Sequence, residues 1–272
     1  MTTRHTALVT GASRGIGKAV AIALAGAGFD VAFTARTVHE GESIDAAGGV
    51  PLPGSLDSTE VAIVERGVQA LPIAMDLMDD ASIDAMVATV QEQWGTPDVL
   101  VNNAIYQGPA RTARFLDSSQ EELHKLLLGN VLAQWRIIRQ FLPAMIERQS
   151  GTIIDITSAA GMQDPPVPTG EGGWSLGYGA SKGAFHRTVG VLHAEHARDG
   201  IRCFNLEPGL VHTERMRAVH GDHFEKVAGA GTTPEVIGAV AVYLATDPDA
   251  EQWRGRALHA QPYARKVGLI EG

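Results

Sequence analysis

Short apolar runs of β-forming residues alternate with longer stretches of helical period along the chain, the pattern of a parallel α/β sheet with helices on both faces. In order, Thr6 to Thr10, Asp30 to Ala35, Leu71 to Met75, Asp98 to Val101, Gly151 to Thr157, Ile201 to Leu206 and Arg256 to His259 read as strands, about seven in all. Between them Ile83, Met86, Val87, Val90 and Trp94 recur at helical spacing and stop at Gly95. Ser118 with Glu121 forms a capping-box pair, predicting a long helix that opens near residue 118 and runs toward Gln149. Thr232, Pro234 and Glu235 open another, with Pro at the first helical position, where its missing N–H costs nothing. Two connections, Thr37 to Leu56 and Gly161 to Ser175, exceed the usual span of roughly 2 to 6 residues, and loops of that kind often carry function. A length of 272 residues is within reach of one sheet-centred unit, so a single domain over residues 1–272 is expected.

Composition narrows the function classes. The formal charge of −9 is spread without blocks of like charge, which argues against nucleic acid and acidic membranes as partners. No apolar run reaches the roughly 18 residues of a membrane span, and the short polar start carries no targeting pattern. The lone cysteine, Cys203, lies in a strand-like run and has no disulfide partner, so a cytoplasmic setting is expected. His193 with His196 and His220 with His223 have the spacing of ligands on one helical face, but no third ligand stands at motif distance, and no metal is expected.

The first strand runs directly into Thr10-Gly11-Ala12-Ser13-Arg14-Gly15-Ile16-Gly17, which opens an apolar helix. Glycine permits positive φ and close approach of a pyrophosphate, and the helix start offers free N–H groups and partial positive charge. A dinucleotide fits such a turn, although Gly-x-x-x-Gly-x-Gly matches the generic fingerprint only in part.

That spacing resembles the short-chain dehydrogenase/reductase family, and the resemblance continues down nearly the whole chain. Asp76 matches the family aspartate that bonds the adenine, with Leu77 beside it. Asn103 and Ala104 match its Asn-Asn-Ala-Gly segment, and Pro208, Gly209, Val211 and Thr213 resemble the segment beside the nicotinamide carboxamide. Ser158, Tyr178, Lys182 and Asn130 match the catalytic set. The resemblance implies a Rossmann-type doubly wound sheet and an oxidoreductase interconverting an alcohol and a ketone or aldehyde. It also implies a homotetramer or homodimer paired through the helix from Ser118 and the helix of Tyr178.

The chemistry is consistent with those residue types. Tyr178 and Lys182 are four apart, hence on one helical face. An ammonium favours the phenolate and brings a phenol, with its reference pKa near 10, toward useful base strength. Ser158 ends the fifth strand, where a hydroxyl points into the binding crevice and can hold the substrate oxygen. Asn130 stands in the apolar stretch Leu126 to Val131 and needs buried partners; by resemblance it orders a water leading to Lys182.

At the end of the second strand, where NAD-binding relatives carry an acid, stands Arg36, and Arg14 in the glycine turn resembles the basic residue of NADP-preferring members. The cofactor expected is therefore NADP(H). Ile105 replaces the family's usual Gly, and the Ser158 to Tyr178 interval is longer than the family's, with Pro165, Pro166, Pro168 and Trp174 in the excess. His259-Ala260-Gln261-Pro262 stands in place of a closing Asp-Gly-Gly. Ile105, Tyr106, Met162, Trp174, Leu210 and Met216 form an expected apolar substrate pocket, with His212 and Arg215 as an alternative anion site. A dehydratase or epimerase on the same Tyr–Lys pair and an NADP-binding redox sensor are the competing functions. The first resembles longer, two-domain chains, and the second commonly lacks the Tyr or Lys.

Overall fold

Strand β1 (Thr6–Thr10) is buried on both faces, with Ala7 and Val9 turned to one side of the sheet and Leu8 to the other. Such strands carry near-continuous apolar runs because helices cover both surfaces. Residues 4–45, 49–224, 229 and 231–270 are described by the computed structural model. Around β1 stand β2 (Asp30–Ala35), β3 (Ala70–Ala74), β4 (Val99–Asn102), β5 (Gly151–Ile156), β6 (Ile201–Glu207) and β7 (Ala257–His259). They form one all-parallel sheet in the order β3-β2-β1-β4-β5-β6-β7. β3 lies one residue earlier than its apolar pattern predicts and β4 one later, since the hydrogen-bonded ladder, and not hydropathy, sets strand ends.

Helices α1 (Gly15–Gly26), α2 (Leu56–Val64) and α3 (Asp80–Trp94) cross between the first four strands. One face of the sheet packs Val9, Phe33 and Phe204 against α1 and α8 (Pro234–Thr246). The other packs Leu8, Leu100 and Ile153 against α3, α5 (Ala133–Glu147) and α6 (Leu176–His196). After β6 come α7 (Glu214–His220) and, beyond β7, α9 (Ala260–Lys266), whose Tyr263 stacks on Tyr243 of α8 at 4.7 Å.

The long helix departs from expectation at both its start and its middle. Ser119, not Ser118, caps α4 (Gln120–Leu127) by accepting from Glu122 N, while Ser118 Oγ donates back to Arg114 O. α4 and α5 are joined by a π-turn over Leu128–Leu132, so the expected helix is continuous but carries one extra residue in a turn. α2 was not apparent in the sequence; a capping box between Ser55 and Ser58 starts it. No helix among the described residues is long and apolar enough to cross a membrane.

Candidate active site

The chain leaves β1 toward β2 on one side and reaches β4 on the other, so a crevice opens at the carboxyl ends of β1 and β4. The glycine turn closes its floor. Gly11 takes φ +70°, and a Cβ at Gly17 would collide with the Gly11 carbonyl and the Asn103 amide. Asn103 Nδ2 donates to Thr10 O and Gly11 O at 2.9 and 3.0 Å, and Thr10 Oγ1 accepts from Asn103 N and Ala104 N at 3.0 Å. Thr10, Gly11, Gly17, Asn103 and Ala104 thus knit two strand ends together. The groove above has a volume of about 410 Å³ and is lined by Gly11, Ser13, Arg14, Gly15, Ile16, Gly17, Arg36, Asp76, Leu77, Asn103, Ala104 and Thr213 among the expected cofactor residues. Ile105 and Tyr106 line it too. Ile105 has no positive φ, so its backbone suits a β-branched residue and its side chain narrows the wall.

One end of the groove is basic. Arg36 is exposed, its Nη1 4.0 Å from Asp76 Oδ2, and no acid follows β2. Arg14 lines the groove and is braced by the loop before α2. Its guanidinium donates to Pro53 O and Gly54 O at 2.7 Å and to Thr37 Oγ1 at 3.4 Å, all in the long connection before α2. That same connection reaches α7, where buried Asp45 holds Arg215 at 2.6 Å. Arg215 is therefore already matched to a carboxylate within the chain. Glu214, its neighbour, accepts from Gly15 N at 2.8 Å, so a carboxylate rests on the start of α1, which has no side-chain cap of its own.

Tyr178 and Lys182 stand one turn apart on α6, capped by Ser175, whose Oγ accepts from Tyr178 N. Lys182 is buried, donates to Ile156 O at 2.8 Å, and is pulled down to about 8 by burial, with Asp155 opposing. Ser158 follows β5 and accepts from Ala160 N at 3.3 Å. Tyr178 Oη bonds no other described residue, and its ring is half-buried. Asn130 lies in the π-turn. Its side chain accepts from Tyr106 N at 2.7 Å and donates to Ser181 Oγ at 3.2 Å, and Ser181 Oγ donates to Tyr178 O. The asparagine is thus a direct brace between the β4 loop and α6.

The remaining expected residues are scattered. Gly209 turns at φ +68° after Pro208, and Gln261 Nε2 donates to Pro208 O and Leu210 O, which gives the unusual end of β7 a definite role in holding this turn. Val211 is buried and bridges Thr232, and Thr213 caps α7. Met162, Trp174, Leu210 and Met216 do not line the 410 Å³ groove; Trp174 lines a separate cleft with Phe115 and Pro168, and Leu210 is exposed. His212 packs edge-on against Phe224 at 5.4 Å. Among the described residues His193 and His196 do not converge on a third ligand, and the side chain of His223 lies outside them.

Two residues of the site went unnoticed in the sequence. Asp155 is fully buried on β5, accepts from Asn102 Nδ2 at 2.8 Å and is pushed up to about 7 by burial. A lone acid inside Ile153-Ile154-Asp155-Ile156 was the available signal. Arg111 holds its guanidinium 5.2 Å from the Tyr178 ring centre, and only the fold brings it there.

Comparison with known proteins agrees with this architecture. Residues 11–260 match the family model described as enoyl-(acyl carrier protein) reductase. A 3-oxoacyl-[acyl-carrier-protein] reductase of Synechocystis is 30% identical over 94% of this chain and 95% of its own. The human dehydrogenase/reductase SDR family member 7 is 32% identical over 88% of this chain and 67% of its own. A solved 3-oxoacyl (acyl-carrier-protein) reductase from Agrobacterium tumefaciens with NADP bound superposes with a TM-score of 0.78 at 26% identity, covering 94% of this chain and 92% of that one. With the glycine turn, Asn103 and Ala104 lining one crevice of a matching sheet, the chain belongs to the short-chain dehydrogenase/reductase family of enzymes acting on CH–OH or carbonyl groups.

Proposed function

We propose that this chain is an NADP(H)-dependent reductase and dehydrogenase of a small alcohol–carbonyl pair, with Tyr178 as acid/base. The observation that carries the reading is the placement of Tyr178, with a hydroxyl that bonds no other described residue, one turn from a buried ammonium on a helix packed against the turn that Ser158 caps at the carboxyl edge of the sheet. The groove suits NADP(H). The start of α1 already accepts an anion, the Glu214 carboxylate, and Arg36 stands exposed at the end of β2 with no acid beside it on that strand. Gly11, Ser13, Gly15, Ile16 and Gly17 would hold the pyrophosphate, Asp76 and Leu77 the adenine, and Arg36 a 2′-phosphate. Asn103, Ala104, Pro208, Gly209, Val211 and Thr213 would flank the nicotinamide, and Tyr178 with Lys182 the ribose beside it. When bound, the nicotinamide supplies or takes the hydride.

Ser158 Oγ and Tyr178 Oη bond the substrate oxygen and polarise the carbonyl. In reduction the carbonyl carbon gains a hydride and its oxygen takes the proton from Tyr178 Oη; in oxidation Tyr178 accepts that proton. The Lys182 ammonium stabilises the phenolate left behind. Asn130 fixes α6 against the β4 loop and keeps the Tyr178 backbone in place. Leu132 and Trp135 near the start of α5 and Val191 on α6 are exposed, which supports pairing of copies through those helices.

A panel of aldehydes and ketones followed by loss of NADPH absorbance tests the reading. Tyr178→Phe should keep NADPH binding and slow turnover roughly 100-fold or more. NADPH binding with no turnover of any carbonyl would instead favour the redox-sensor reading.

A further inference from the structure

Arg111 is a cation that lies against the Tyr178 ring, and its position is built in. It ends a short 3₁₀ turn (Pro109–Arg111) whose last two carbonyls, Ala110 O and Arg111 O, accept from Ser175 Oγ at 2.8 and 2.9 Å. Ser175 Oγ in turn accepts from Tyr178 N. The turn that carries the arginine is therefore bolted to the cap of the helix that carries the tyrosine. The guanidinium lies 5.2 Å from the Tyr178 ring centre.

Asp45, itself bound to Arg215, lends Arg111 some negative charge without pairing with it. Arg111 makes no ion pair or side-chain hydrogen bond among the described residues, and its Nε is buried without a partner. Leaving a buried charged donor unpaired costs about 1 to 3 kcal/mol or more, and folded chains seldom carry that cost without a use. The other cation in reach, Arg215, binds Asp45 directly, whereas Arg111 has no carboxylate within ion-pair distance among the described residues. Gly108 and Pro109, just before it, form part of the groove wall, so the turn that carries Arg111 borders the groove.

We propose that Arg111 is the anchor for a carboxylate on the substrate, so that the carbonyl compounds reduced here are oxo acids and the alcohols oxidised are hydroxy acids. The planar guanidinium fork matches a carboxylate bidentately, and its distance from Tyr178 suits a molecule whose carbonyl oxygen sits on Tyr178 Oη while its acid group sits on Arg111. This rests on the oxidoreductase reading above and narrows its substrate class.

The probes are 2-oxohexanoate, 4-oxopentanoate and benzoylformate, each beside its methyl ester, with NADPH as reductant. In the wild type, kcat/KM for at least one acid should exceed that for its ester by 10-fold or more, mainly through KM. Arg111→Gln should bring that ratio to near one, and Arg111→Lys, which keeps the charge but not the fork, should restore part of it. NADPH affinity, read by fluorescence, should move little in either variant and shows that the fold is retained. A wild-type ratio near or below one, or a ratio that survives in Arg111→Gln, overturns the proposal while leaving the reductase reading in place. A role confined to the phenol's charge would slow acid and ester equally and also overturns it. Should no carbonyl compound turn over, the reductase reading fails. Calorimetric titration of the NADPH complex with the same acids then decides the anchor, since binding must be present in the wild type and lost in Arg111→Gln.

Discussion

Asp155 and Lys182 are both buried, and each is displaced toward its neutral form by burial, to about 7 and about 8 respectively. They make no direct ion pair among the described residues, yet each opposes the other's displacement. Asp155→Asn removes the carboxylate and keeps the shape. Oδ1 still accepts from Asn102, and the new amide can reach Asn205, its ladder neighbour on β6, whose Oδ1 has no partner. Beyond about 4 Å and at an effective dielectric near 20, a full charge pair is worth less than about 4 kcal/mol. Asp155 is mostly ionised at pH 8, so its loss should lower the Lys182 value by on the order of one unit.

Loss of the Lys182 ammonium then begins at lower pH. At pH 8 its charged fraction falls from about one half to about one tenth, so carbonyl reduction should slow roughly fivefold, while at pH 6 it should scarcely change. Stability moves in the opposite sense. A carboxyl raised in the folded state contributes stability that is full below its unfolded value and is lost as pH rises through about 7. Between about pH 4 and 7 the melting temperature should therefore depend less on pH in Asp155→Asn than in the wild type. The pH profile of kcat/KM and melting curves over the same range are the assay. A rate profile that stays put or moves to higher pH refutes the coupling.

Two more predictions concern the groove. Arg36→Ala should weaken NADPH roughly 10- to 150-fold, less where solvent screens the contact, and leave NADH nearly unchanged; fluorescence titration with both cofactors measures this, and equal weakening of both would contradict a 2′-phosphate contact. Glu214→Gln removes the carboxylate from Gly15 N, which an incoming pyrophosphate must displace, and should tighten NADPH up to about tenfold; weaker binding by the same titration would show that the contact is a useful support.

The parts of this site that the sequence discloses are those set by neighbours along the chain. β1 and β2 fall where their apolar runs lie, because burial on both faces demands continuous Val, Ala and Phe. Tyr178 and Lys182 share a face because helical spacing puts them there. Ser118 and Ser119 offer the same cap chemistry, and only the docking of α4 decides that the second is used. Likewise nothing in Leu128 to Leu132 marks the π-turn that aims Asn130 at Tyr106 N and Ser181.

The connection between residues 37 and 56 shows why the rest stayed hidden. Its length marked it as a loop of the kind that often carries function, and described contacts tie it to segments remote in the chain. Pro53 and Gly54 offer carbonyls to Arg14, and Asp45 reaches Arg215, 170 residues away. Arg215, an expected anion site, is met by this loop's Asp45, while Arg14 keeps its place on the groove wall with its guanidinium braced by the loop's carbonyls. A charge's availability is a property of its surroundings in three dimensions, and a sequence shows the charge without them. The same argument in reverse singles out Arg111, one of many arginines in the sequence, as the guanidinium beside the phenol with no ion pair or side-chain hydrogen bond among the described residues.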